Sequence, residues 1–114
     1  MSKYMLLFSS TIPASELMAS TTPEQMQASM AEWITWNDEA NKTLKVEFGL
    51  PLQARAKVTS DGVAESESKA SGYATAEGDD KDALLELVKT HPHLKREGAW
   101  IDVLEMLHMP GIDT

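Results

Sequence analysis

His91 and His93, set two positions apart about Pro92, are the first residues whose types and spacing could do chemistry. In an extended segment the two imidazoles face the same way, and imidazole binds zinc or copper. A metal centre needs a further ligand, for which His108, Asp102 and Glu105 are the candidates. The plainer alternative is a helix end, with His91 near the last carbonyls. No ligand spacing of a known site is met, so no metal site is assigned. Asp102 and Glu105 interrupt an otherwise apolar stretch. A buried carboxylate is costly unless paired or wet. Burial would raise its pKa and fit it for general acid or base work. The alternative is a salt bridge to Arg55, or to Lys95 or Arg96 of a second copy. Trp33 and Trp36 sit three apart, where they wall a pocket with indole donors or simply pack a core. Asn37 is a polar group on that same helical stripe, and Arg55, Tyr73 and Trp100 are the remaining candidate lining residues. The serines form no nucleophile elbow. No phosphate loop or dinucleotide fingerprint is present, so no cofactor is assigned.

Composition narrows the classes further. The 114 residues are one domain's worth, 1–114, and 42% hydrophobic with 25% charged is an ordinary globular balance. Ten Lys and Arg against eighteen Asp and Glu leave a net charge of −8. That charge disfavours nucleic acid, which demands a basic footprint, and disfavours anionic lipid. The absence of cysteine removes disulfides, thiolate nucleophiles and Cys-based metal sites. The apolar run Tyr4–Phe8 is too short for a secretion signal, and nothing approaches a membrane span. The chain is therefore read as cytoplasmic and complete.

The positioning elements follow from periodicity. Residues 3–8 read as a strand apolar on both faces, and residues 9–22 as a long connection with at most one helical turn. Residues 23–43 read as a long amphipathic helix, with Thr22 as its cap and Pro23 at its first position. Its buried stripe is Met26, Met30, Trp33, Trp36, Asn37, Ala40 and Leu44. Leu52, Ala54, Ala56 and Val58 alternate with polar residues and predict a sheet-edge strand. Asp61 and Gly62 mark a turn, and residues 72–77 read as a further strand. Asp79 or Asp80 caps a second helix, whose buried stripe is Leu84, Leu87 and Val88. Residues 99–107 form the last strand, with Trp100, Asp102, Leu104 and Met106 on one face and Ile101, Val103 and Glu105 on the other.

The order β-α-β-β-α-β predicts an α+β, ferredoxin-like fold: a four-stranded antiparallel sheet with two helices on one face. The first and last strands are apolar on both sides, and so short a chain has no third layer. A homodimer in which two open sheet faces bury each other is the expectation.

The residues also resemble a known family. Lys3-Tyr4-Met5-Leu6-Leu7, Pro23-Glu24-Gln25-Met26 and Trp33-Ile34-Thr35-Trp36 resemble the YCII-related, or DGPF-domain, proteins. Asp61-Gly62, Gly72-Tyr73, Ala83-Leu84-Leu85, His91-Pro92-His93-Leu94 and Ile101-Asp102-Val103 continue the resemblance in order. It implies a dimeric α/β barrel with a pocket between sheet and long helix, and in some members a His-Asp pair. Here the loop and long helix carry no His, Val63-Ala64 replaces Pro-Phe, and Leu104 stands where many members have Arg. The function expected is a small-molecule pocket walled by Trp33, Trp36 and Trp100. Its chemistry would be cofactor-free acid–base work on a small, partly apolar substrate. Asp102 or Glu105 would be the base, with Asn37, Tyr73 or Arg55 orienting the substrate. The alternative is a non-catalytic dimeric binding or interaction module.

Overall fold

The computed structural model describes residues 2–112. Strand β1 (Ser2–Ser10) leads through the short helix α1 (Ala14–Ser20) to the long helix α2 (Pro23–Ala40). Strands β2 (Lys45–Phe48), β3 (Lys57–Thr59), β4 (Gly62–Ala64) and β5 (Ala70–Gly78) follow. Helix α3 (Lys81–Val88), a 3-10 turn at Pro92–Lys95 and strand β6 (Ala99–Met106) complete the order. The main sheet runs β2-β5-β1-β6 with every neighbour antiparallel. Mixed α+β architecture with a four-stranded antiparallel sheet is thus as the pattern predicts.

Local chemistry explains the helix starts. Thr22 accepts from the Gln25 backbone N–H at 3.1 Å, and the Gln25 side chain accepts from the Thr22 N–H at 3.0 Å. This reciprocal capping box satisfies two otherwise orphaned donors. Asp80 does the same job singly for α3, accepting from Ala83 N–H at 3.1 Å.

Alternation in β1 sends Tyr4, Leu6 and Phe8 to the helix side, where all three are buried. They meet Ala74 and Ala76 of β5, Val46 of β2, Trp36 and Ala40 of α2, and Leu84 and Val88 of α3. Trp36 reaches across to α3, its indole N–H donating to Leu87 O at 3.0 Å and Thr90 Oγ1 at 3.1 Å. The opposite face has no cover. Met5 pairs with Leu104, and Leu7 lies between Tyr73 and Asp102. Trp100, Leu104 and Met106 are 38–48% exposed there. The described residues form two layers, with extents of 44 × 37 × 19 Å.

Two expectations are corrected. The sheet-edge strand is Lys45–Phe48 rather than the stretch from Leu52 to Val58. Of that stretch only Lys57 and Val58 fall in a strand, β3, which pairs with β4 in a separate exposed hairpin. Its tip uses Gly62 at φ 135°, a conformation that glycine takes at no steric cost. The connection at 9–22 holds two helical turns rather than one, as α1. Among the described residues, no helix is long and apolar enough to cross a membrane.

Candidate functional site

The helix stripe predicted from the sequence is only half used. Trp36 and Ala40 are buried, Trp33 is half-buried, and Met26 and Met30 are 40% and 50% exposed. The C-terminal half of α2 is pressed onto the sheet, and the N-terminal half overhangs it. Beneath the overhang lies a cleft of about 300 Å³. Its apolar walls are Met26, Met30, Trp33, Phe48, Leu50 and Pro51. A second chamber of about 150 Å³ adjoins it toward α1, lined by Ile12, Leu17 and Met18. The two chambers share Trp33, Pro51, Ser71, Gly72, His93 and Arg96.

Trp33 and Phe8 at the chamber walls belong to a cluster of rings packed behind them. Phe8 stacks against Trp33 at a centroid distance of 5.0 Å and against His91 at 4.8 Å. His91 meets Trp33 edge-on at 4.6 Å and Trp36 at 4.4 Å. His91 Nδ1 accepts from the His93 backbone N–H at 3.0 Å, so its hydrogen resides on Nε2. His93 Nε2 lies 2.8 Å from Ser9 O, which only accepts, so there too Nε2 carries the hydrogen. Burial, with His93 as a lesser cause, pushes the His91 imidazole down to about 4. His93 is lowered chiefly by burial, against the Ser9 carbonyl and with the help of the Arg96 charge.

A depressed imidazole makes the fold sensitive to acid. The folded state holds His91 neutral, and the unfolded chain protonates it near 6.5. The stabilisation is full above 6.5 and is lost as pH falls from there through about 4. The loss is on the order of 3 kcal/mol at the 1.36 kcal/mol per pKa unit of linkage. His91→Asn keeps an acceptor for the His93 N–H and removes the titration. Urea melts at pH 7 and pH 4.5 should show a smaller acid loss for His91→Asn than for the parent. Equal losses would refute the assignment.

The residues singled out from the sequence do not assemble as expected. Trp33 lines the cleft, whereas Trp36 is spent on the α2–α3 contact, and Trp100 stands on the opposite face of the sheet. Tyr73 also faces away: its ring lies across Gly49 of the neighbouring strand, where a Cβ would collide with it. Such an aromatic laid over a strand glycine restores the cross-strand contact that glycine lacks. Arg55 is exposed in the loop before β3, clear of both chambers. Asn37 is half-buried, and its Oδ1 has no hydrogen-bond partner among the described residues.

Asp102 and Glu105 are both exposed rather than buried. Three residues apart on a strand, they point to opposite faces: Asp102 beside Leu7 on the open face, Glu105 beside Tyr4 at the edge. Neither touches the cleft, so the expected base and the pocket are separated. No group of three His, Cys, Asp or Glu comes together among the described residues. His91 and His93 are bound to the backbone and to rings instead.

His93 and Arg96 are the polar side chains that the pocket reading missed. The available signal was their placement after a helix-ending Pro92, which folds them back under β1 in a 3-10 turn. Comparison with family models, with curated proteins and with solved structures returned no match.

Proposed function

We propose that this chain is a ferredoxin-like, YCII-related protein that pairs through its open sheet face and holds a small, partly apolar molecule under α2. The observation that carries this reading is the cleft of about 300 Å³, apolar in its walls and polar at one end. Strand order supports the fold name, since β2 and β6 flank the pair β5-β1 as a split β-α-β unit requires. The bare face with Met5, Leu7, Trp100, Leu104 and Met106 supports pairing, because soluble chains seldom leave such a patch wet. Each copy then forms one half of a dimeric α/β barrel.

The placement of Asp102 and Glu105 favours binding over acid–base catalysis by those carboxylates. The polar side chains that line the cleft, and that a ligand there would meet, are His93, Arg96, Ser29 and Ser71. The neutral dye N-phenyl-1-naphthylamine tests the cleft directly. Its emission should rise on binding, and Met30→Trp, which fills the mouth, should weaken binding about tenfold or more, that is by at least ~1.4 kcal/mol. Equal binding by parent and Met30→Trp would remove the cleft as the site.

A further inference from the structure

Resting on the reading of this cleft as a ligand site, we propose that its ligand is an apolar monoanion. The ligand would be a carboxylate or comparable anionic head on a flat hydrocarbon body, with the head at Arg96. The chain carries eighteen acidic residues against ten basic ones, yet no Asp or Glu lines either chamber. Arg96 lines both chambers and has no carboxylate partner among the described residues. Five of the ten basic residues, Lys3, Lys42, Lys45, Lys89 and Lys95, pair with a glutamate among the described residues, and Arg96 is not one of them.

The Arg96 side chain is exposed and springs from a backbone anchored at both its N–H and its C=O. Arg96 N–H donates to His93 O at 3.3 Å, and Arg96 O accepts from Ala99 N–H at 3.2 Å. Its charge reaches His93, whose protonation it opposes. A cationic ligand would meet that same opposition. A neutral one would take water from Arg96 and return no charge-assisted bond. An anion gives such a bond, and the rings and methionines take its body.

Calorimetric titration with 2-naphthoate, 2-naphthamide and 2-naphthylmethylammonium separates the cases. The parent protein should bind naphthoate about tenfold tighter than the amide, and the ammonium least. Arg96→Gln should abolish that gap, chiefly by weakening naphthoate; Arg96→Lys should keep part of it. Equal affinities for naphthoate and amide, or a gap that persists in Arg96→Gln, overturn the anion assignment. The cleft reading then stands if Met30→Trp still blocks the amide. If none of the three probes binds, the cleft reading fails and this inference falls with it.

Discussion

Phe8→Ala should cost the fold about 3–5 kcal/mol, the range for truncating a fully buried phenylalanine. Phe8 is 1% exposed on the central strand β1, with Ile101 of β6 at one side and Gly72 of β5 at the other. Its ring touches Trp33, His91 and His93 at centroid distances of 5.0, 4.8 and 5.3 Å. Truncation therefore opens a void where three rings meet, and the two imidazoles are tethered against filling it. His91 is tied through Nδ1 to a backbone N–H, and His93 through Nε2 to a carbonyl. Domains are stable by only about 5–15 kcal/mol, so the loss is a large share of the whole. Urea denaturation measures it, and Phe8→Leu should lose less because more of the volume stays filled. A loss under about 1 kcal/mol for Phe8→Ala would mean that the ring cluster is not a structural keystone.

Leu104→Glu should separate the paired chains, raising the dissociation constant about a hundredfold or more, equivalent to ~2.7 kcal/mol or more. Leu104 is 48% exposed in the single chain, so the change does little to the fold itself. In the proposed two-fold pairing each substitution appears twice, and two further carboxylates join Asp102 on a face otherwise dominated by Met5, Leu7, Trp100 and Met106. Sedimentation across a dilution series reads the result, with circular dichroism as the check on folding. The parent should persist at twice the chain mass where Leu104→Glu runs as one copy. A folded parent that already sediments as one copy would dispose of the pairing.

Much of the fold was legible because its signals are local. Thr22, Pro23 and Gln25 announced α2, and the pair Asp79 and Asp80 announced α3, with Asp80 the one that caps it. Alternation in β1 identified Tyr4, Leu6 and Phe8 as one face. The edge strand was misplaced for a physical reason. Lys45-Val46-Glu47-Phe48 alternates as cleanly as the stretch that was preferred, but over only four residues. What selects it is tertiary: Val46 lies under Ala40, and Asn41 grips it through both its N–H and its C=O. From Leu52 to Val58 the same period serves a strap, tied to the sheet by Leu52 N–H donating to Ser71 O at 2.9 Å.

The site was less legible. Trp33 was found because helix periodicity places it on the inner stripe. Trp36 shares that stripe, but which of the two meets the cleft depends on where the helix parts from the sheet. Asp102 and Glu105 drew attention as polar residues in an apolar strand. The strand is an edge, however, and edges leave carboxylates wet. His93 and Arg96 reach the cleft through a turn whose direction no periodicity encodes.

The small side chains at one end of α2 make it a lever. Ala40 rests against Val46 and Ala76 as a fulcrum, and fourteen residues separate it from Met26. At 1.5 Å per residue that arm is about 21 Å long. A swing of about 5° at the fulcrum moves the Met26 end by roughly 2 Å, without breaking one hydrogen bond inside the helix. A tilt of that size would widen the cavity without unfolding the helix, though it would also strain the Trp36 contacts to α3.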